Sequence, residues 1–361
     1  MKTIVHVVGA RPNYMKVAPV LDAMRRVEGT RQVLINTGQH YDDEMAGGFL
    51  REFRLPAPDR DLGVGSGSHA AQTAKVMVAF EEICLEYAPA LVVVVGDVNS
   101  TMAASLVASK LHVPIAHVEA GLRSFDRMMP EEINRIVTDR LADILLTPSR
   151  DANENLANEG VAADRVHLVG NVMIDTLLRF LPMATLDRVR DRIQVQPREY
   201  AVLTLHRPSN VDDSTTLRGI LDAVGVIAAR MPVVFSAHPR TRTRLAEFGI
   251  SPNNGVILTG PLGYVDFLSL TANARLILTD SGGLQEESTA LGIPCLTLRT
   301  GTERPVTVTS GTNRVVGTEP KAIIAAFEAL ETSREAPRLP ELWDGHTAER
   351  IADVLRQFLF S

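Results

Sequence analysis

Cysteine is scarce in this sequence: Cys84 and Cys295 are the only 2 among 361 residues. That argues against a disulfide framework and against a thiolate metal site. Basic clustering is also missing. Lys and Arg number 37 against 43 Asp and Glu, a formal net charge of −6, with no basic block. General nucleic-acid or anionic-membrane binding depends on clustered cations, so neither partner is expected. No apolar run approaches the roughly 18–20 residues that span a bilayer. The run from Ile4 to Val8 is too short for a signal segment and is cut off by Arg11 and Pro12. A cytoplasmic location is the expectation. No G-x-G-x-x-G follows the first apolar run and no P-loop occurs, which weakens NAD- and ATP-dependent readings and leaves no cofactor implied. None of the 5 tyrosines has a lysine four places on, so the Tyr–Lys pair of short-chain oxidoreductases is absent too.

What is present is an alternation of short apolar runs and helical periodicities. Ile4–Val8 reads as a buried strand, followed by Tyr14, Val17, Ala18, Leu21 and Met24 at helical spacing. Val33–Ile35, Leu91–Val95, Pro114–Val118, Ile144–Leu146 and Val166–Val169 continue the strand series, with a helix carrying Ala71, Ala74, Val78 and Ile83 before Leu91. Leu91–Val95 is apolar at every position, as in a parallel sheet covered on both faces. Leu181–Glu199, with Pro182, Pro197 and several charges, reads as the crossing between domains. A second series follows: Val202–Leu205, Val233–Phe235, Val256–Leu258, Leu276–Leu278 and Cys295–Leu298. The expected fold class is α/β, two doubly wound Rossmann-like domains facing across a cleft, spanning 1–170 and 171–345. The tail helix, 346–361, carries Ile351, Val354, Leu355 and Phe358 on one stripe and is assigned either to the second domain or back onto the first.

In such sheets ligands bind outside the carboxyl ends of the strands. The residues just past each strand are therefore the candidates: Gly9, Ala10, Arg11 and Lys16; Gly96 and Asp97; Glu119, Ala120, Gly121 and Arg123; His206 and Arg207; His238; Asp280 to Gly283; and Glu303 with Arg304. Each has a plainer reading. Ser281-Gly282-Gly283 opening a helix is a ready anion site or a simple helix start. Arg11 and Lys16 are phosphate ligands or solvated helix-start charges. Asp97 and Glu119 are catalytic acids, helix caps or ion-pair partners. His117 and Glu119 share a strand face, but no further ligand supports a metal, and none is expected. Gly63, Gly65 and Gly67 follow Pro58-Asp59-Arg60-Asp61 rather than a strand, so they read as a loop and not a dinucleotide fingerprint.

Taken in order, these pieces resemble the non-hydrolysing UDP-N-acetylglucosamine 2-epimerases, relatives of the glycosyltransferase-B fold. The resemblance rests on Gly9-Ala10-Arg11-Pro12 with Lys16, Gly96-Asp97, His117-Val118-Glu119-Ala120-Gly121-Leu122-Arg123 and Pro130-Glu131-Glu132-Ile133-Asn134-Arg135. Leu205-His206-Arg207, the run from Asp280 to Glu287, and Thr302-Glu303-Arg304-Pro305 extend it through the second half. It implies that Arg11, Lys16, His206, Ser281, Gly282, Gly283 and Arg304 hold the nucleotide diphosphate of a UDP-sugar. It places Glu287 at the ribose and Phe267 near the uracil, and puts Asp97, Glu119 and Glu131, with His206, on catalytic positions. Leu262, after Pro261, stands where many members have Gln. A homodimer is implied. A second, activating sugar-nucleotide site would use Gln39, Glu132, Arg207 and His238, but Asp42 and the Gly65–Ser68 loop depart from the pattern of activated members, so that site is expected to be weak or absent.

The implied reaction is reversible inversion at C2 of UDP-N-acetylglucosamine by anti elimination of UDP to 2-acetamidoglucal and re-addition. It needs clamps on the departing diphosphate and carboxylates near C1 and C2, and it needs no nicotinamide. An epimerase acting on a modified 2-acetamido UDP-sugar, a hydrolysing epimerase, a glycosyltransferase of the same build and a sugar-nucleotide-binding regulator are the competing readings.

Overall fold

A computed structural model describes residues 1–38, 55–252, 254–332 and 338–361, excluding the side chain of Arg11 and those of residues 331 and 332. The chain forms two compact units, Met1–Thr176 with Glu341–Ser361, and Leu177–Pro340. The division at Thr176/Leu177 and Pro340/Glu341 differs from the expected 170/171 and 345/346. It falls inside the helix Val172–Phe180. Leu181–Glu199 is therefore not the crossing. Its Val189 and Ile193 are buried in a core cluster of the second unit.

The first unit holds a seven-stranded sheet in the order β3-β2-β1-β4-β5-β6-β7. The strands are β1 (Lys2–Val8), β2 (Thr30–Asn36), β3 (Arg60–Asp61), β4 (Leu91–Val95), β5 (Ile115–Val118), β6 (Ile144–Thr147) and β7 (Val166–Leu168). Every pairing is parallel. The order turns back between β1 and β4, which makes the space past their carboxyl ends the switch point of the sheet. All of Leu91–Val95 is buried, as the run of apolar side chains requires when helices cover both faces. The helix His69–Tyr87 buries Gln72, Val76, Phe80, Ile83 and Cys84, whereas Val78 is exposed. The expected face of Ala71, Ala74 and Val78 is thus displaced toward the larger Val76 and Phe80, which fill the space over the sheet. The tail helix Thr347–Phe360 belongs to the first unit. Asp175 accepts from the Thr347 and Ala348 N–H groups, and Trp343 Nε1 donates to Pro148 O at 3.0 Å. The buried stripe of this helix is Ile351, Leu355 and Leu359, with Phe358 left outside.

The second unit holds a six-stranded sheet in the order β10-β9-β8-β11-β12-β13. Its strands are β8 (Ala201–Thr204), β9 (Val233–Ser236), β10 (Val256–Thr259), β11 (Leu276–Thr279), β12 (Cys295–Thr297) and β13 (Asn313–Val315), all paired in parallel. Alternate residues feed two cores. Ala201, Leu203, Val233, Phe235, Leu276 and Leu278 face one, and Val202, Val234 and Ile277 face the other. This period of two, apolar on both sides, is what a doubly covered sheet demands. Its switch point lies between β8 and β11. Among the described residues no helix is long and apolar enough to cross a membrane.

Candidate functional site

In the first unit the chain leaves β1 at Gly9 and turns at once into the helix Arg11–Met24. The N–H groups of Gly9 and Ala10 donate to Asn13 Oδ1, and Asn13 Nδ2 donates to Val95 O at 3.0 Å, tying this turn to the end of β4. A Cβ on Gly9 would stand 2.3 Å from Ser100 Oγ, so only glycine passes there. One turn into the helix, Lys16 donates to Glu119 in a buried ion pair. Glu119 follows β5 with φ +71°, a conformation that non-glycine residues adopt at a cost, and Gly96 after β4 has φ +67°.

Asp97 is held from several sides. Arg135 Nη1 meets its Oδ2 at 2.5 Å and Asn134 Nδ2 donates to its carbonyl oxygen at 2.8 Å. His117 Nε2 lies 2.9 Å from the carbonyl oxygen of the preceding Gly96. The other ring nitrogen of His117 lies 2.6 Å from Asp139, whose second oxygen accepts from Arg123 and from the Gly121 N–H. Burial alone would push the Asp139 carboxyl up, but His117 and Arg123 outweigh it and hold it below the usual carboxylate range. Both nitrogens of His117 are thus engaged in bracing the turns that carry Asp97 and Glu119, which leaves none for a metal. Glu131, in the first turn of the helix Pro130–Leu141, has no hydrogen-bond or ion-pair partner among the described residues and is partly exposed. Its neighbour Glu132 is buried. It accepts from the Ser124 and Phe125 N–H groups and from Arg135, contacts that overcome the cost of burial and hold its carboxyl low.

In the second unit β8 ends in Leu205-His206-Arg207 beside the end of β11. The buried Asp280 accepts from the His206 N–H, the Arg207 N–H and Asn210 Nδ2, and lies 2.8 Å from His206 Nδ1. Burial would raise this carboxyl, but contact with His206 and those N–H groups prevails and holds it below its ordinary range. Ser281 then caps the helix Gly282–Ala290 with no side-chain hydrogen bond of its own to the first turn. Backbone N–H groups at such a start favour an anion. Arg304 lies against Gly282, pairing with Glu286 at 2.7 Å and with Glu303 at 2.6 Å. Glu303 in turn pairs with Arg299, and Arg207 stands 3.6 Å away from it. These arginines hold the Glu303 carboxyl far below its usual range despite its burial. Glu287 differs: burial and nearby Glu286 push it up to about 7, against a hydrogen bond from Tyr264 at 3.2 Å. Phe267 is half-buried on the helix Tyr264–Ala272, packed with Leu262 against the core.

Each unit therefore gathers part of the expected set at the carboxyl edge of its own sheet. The first has Lys16, Asp97, Glu119 and Glu131, and the second has His206, Ser281, Gly282, Gly283, Glu287 and Arg304. The side chain of Arg11 and all of Gln39 and Asp42 lie outside the described residues. Of the other residues expected at an effector site, Glu132 is occupied within the first unit, Arg207 faces Glu303, and His238 is exposed, its Nδ1 accepting from the Arg240 N–H. Asp139 was not singled out from the sequence, Arg135 stood only inside a quoted motif, and Asp280 and Glu303 were named only as positions past strands, without a role. All four sit in or beside the quoted motifs, but nothing in one chain of letters says which residue they hold.

The profile of the family described as UDP-N-acetylglucosamine 2-epimerase matches residues 22–356. A UDP-N-acetylglucosamine 2-epimerase of Methanocaldococcus jannaschii is 40% identical over 97% of this chain and 97% of its own. A UDP-2,3-diacetamido-2,3-dideoxy-D-glucuronate 2-epimerase of Pseudomonas aeruginosa is 41% identical over 98% of this chain and 99% of its own. Among solved structures, the M. jannaschii UDP-GlcNAc 2-epimerase in complex with UDP-GlcNAc and UDP superposes with a TM-score of 0.90 at 40% identity, covering 99% of this chain and 100% of that one. With the family profile matching residues 22–356 and nearly the whole chain aligned to such enzymes, the chain belongs to the UDP-N-acetylglucosamine 2-epimerase family and is an isomerase of that family.

Proposed function

We propose that the enzyme reversibly converts UDP-N-acetylglucosamine to UDP-N-acetylmannosamine without hydrolysis, the second unit binding the UDP moiety and the first supplying the groups that act on the sugar. The observation that carries this reading is the position of Asp97 and Glu119 just past neighbouring strands beside the switch point of one sheet, with the helix whose first turn carries Glu131 tied to Asp97 through Asn134 and Arg135, in a chain that matches 2-epimerases throughout. C2 is not adjacent to a carbonyl, so its proton is hard to remove alone. Expelling UDP from C1 as the proton leaves solves this. The C2–H pair becomes the C1=C2 double bond of 2-acetamidoglucal, the C1–O pair leaves on UDP, and a carboxylate takes the proton. Re-addition of UDP to C1 with proton delivery to the other face of C2 completes the inversion.

Glu131, with no ion-pair partner among the described residues, suits proton exchange. Asp97 and Glu119, each paired to a buried cation, suit fixed negative charge beside an oxocarbenium-like C1. Arg11, Lys16, His206, the Ser281-Gly282-Gly283 helix start and Arg304 hold the diphosphate, Glu287 the ribose hydroxyls and Phe267 the region of the base. The effector contacts are weak or absent, so turnover proceeds without an activator.

The test is incubation with UDP-N-acetylglucosamine alone in deuterated water, followed by NMR. UDP-N-acetylmannosamine with deuterium at C2 is expected. Free N-acetylmannosamine would reveal a hydrolysing enzyme, and no reaction would overturn the substrate. The P. aeruginosa relative supports one second reading, a 2,3-diacetamido-glucuronate substrate. Turnover of that UDP-sugar with none of UDP-N-acetylglucosamine would favour it.

A further inference from the structure

The carboxylate of Asp280 receives more donors than a helix start requires. Its Oδ2 accepts from the N–H groups of His206 and Arg207 and from Asn210 Nδ2, at 3.0, 2.9 and 3.1 Å. Asn210 is itself fixed by donating to Leu298 O at 2.9 Å. Those bonds alone hold the turn after β8. Yet Oδ1 also lies 2.8 Å from the Nδ1 atom of the His206 ring. The carboxylate is fully buried while the imidazole reaches out to solvent. With Nδ1 engaged, the opposite nitrogen, Nε2, points away from the carboxylate and has no partner among the described residues.

We propose that Asp280 is the positioning residue of His206, fixing the ring with a proton on Nδ1 and stabilising its imidazolium form, so that Nε2–H is aimed outward to take up charge on the departing diphosphate. This rests on the reading that His206 meets the diphosphate. When the C1–O bond breaks, its electron pair settles on a β-phosphate oxygen. A hydrogen bond donated by Nε2–H strengthens there as charge builds, with no net proton transferred, and weakens again on re-addition. The other charged groups of this sheet edge are already matched: Arg304 with Glu286 and Glu303, Arg299 with Glu303, and Arg207 near Glu303. Asp280 is thus the anion in direct contact with the ring. Asparagine in its place still accepts from the backbone N–H groups but carries no charge to favour an imidazolium.

The experiment is a double-mutant cycle of Asp280→Asn and His206→Asn, read as kcat and KM across pH and as UDP affinity by calorimetry. Asp280→Asn should lower kcat about tenfold or more with a smaller change in KM. Added to His206→Asn, it should cost little further. An equal cost in both backgrounds would mean that Asp280 only braces the turn and would overturn the proposal. Unchanged UDP affinity and kcat in His206→Asn alone would instead overturn the placement of His206 at the diphosphate. Nitrogen-15 NMR of the histidine-labelled wild-type enzyme, with the His206 signal assigned by its loss in His206→Asn, needs no Asp280 variant to fold. The neutral ring should carry its proton on Nδ1, and a neutral ring protonated on Nε2 would refute the pairing.

Discussion

The two sheet edges solve opposite electrostatic problems with the same construction. At Asp97 in the first unit the acid reaches out and the base is hidden: its side chain is 32% exposed and that of its partner Arg135 3%, whereas Glu119 and Lys16 are both buried. In the second unit the base reaches out and the acid is hidden: the His206 side chain is 43% exposed and that of Asp280 0%. Arg207 and Glu303 repeat the second arrangement at 24% and 3%. A buried partner gives up hydration once, during folding, and in return fixes the geometry of the exposed one. The result is one edge suited to protons and a cationic carbon, and another suited to a diphosphate.

The sharpest test of that division is to neutralise the three carboxylates assigned to the sugar, the partly exposed Asp97 and Glu131 and the buried Glu119. Asp97→Asn, Glu119→Gln and Glu131→Gln should each lower kcat by about 10²–10⁴-fold, the usual contribution of a group acting on the reacting atoms. UDP affinity by calorimetry should stay within about threefold for Asp97→Asn and Glu131→Gln, which contact none of the groups assigned to the phosphates, whereas Glu119→Gln also frees Lys16 and is judged on kcat alone. A variant that lost UDP affinity and kept kcat would break the comparison at that residue.

The hidden partners come next. Asp139 sits between His117 and Arg123 with its side chain 1% exposed. Removing it as Asp139→Ala takes the anion from the buried His117 and leaves Arg123 with Glu159 alone, and should destabilise the protein by about 3 kcal/mol, read from urea midpoints. A loss below about 1 kcal/mol would mean that the network is not a brace at all.

These hidden partners are also where the sequence stopped being legible. Residues just past a strand can be named from the strand alone, which is how Asp97, Glu119, His206 and Ser281 were found. Their holders come from other elements: Arg135 from 38 residues beyond Asp97, and Asp280 from 74 beyond His206. No local pattern connects such pairs. The same limit applies to the fold. The interior strands announce themselves as apolar runs, but β3 is only Arg60-Asp61 and β13 is Asn313-Arg314-Val315, edge strands with little to bury. The helix Pro320–Thr332 behind β13 went unread with it. Helix faces misled where alanine lines both sides, as in Ala71 and Ala74, and only packing selected Val76 and Phe80.

Two glutamates at the second edge sharpen the contrast by titrating in opposite senses. Glu287, fully buried, is raised from 4.5 to about 7. The folded state therefore binds its proton more tightly than the unfolded chain, and the associated stability is present below about pH 4.5 and is lost as the pH rises through 7. Against Glu287→Gln, whose neutral amide does not titrate, the wild-type protein should lose on the order of 3 kcal/mol across that interval, followed by melting at stepped pH. Glu303, held low by arginines, has the reverse sign: its stabilisation is present above the unfolded value of 4.5 and is lost only in acid. A stability difference between wild type and Glu287→Gln that stays flat from pH 4.5 to about 8 would remove Glu287 from this contrast.

The smallest expected effect separates the two glycines that open the helix Gly282–Ala290. Neither has a positive φ, so the backbone does not require glycine at either place. Space does at one. A Cβ on Gly282 would stand 2.4 Å from Arg304 Nη1 and 2.8 Å from Glu303 Oε1, whereas on Gly283 it would meet nothing within 4 Å. Arg304 cannot give way freely, because Glu286 and Glu303 hold its guanidinium. Gly282→Ala should therefore push the arginine off its seat and weaken UDP binding about tenfold, the loss of one charge-assisted contact. Gly283→Ala keeps its N–H and should change stability by no more than about 1 kcal/mol in either direction. Calorimetry with UDP and a melting curve on each variant decide the matter. Equal losses of UDP affinity in the two would mean that the helix start, and not the seating of Arg304, governs how this edge takes an anion.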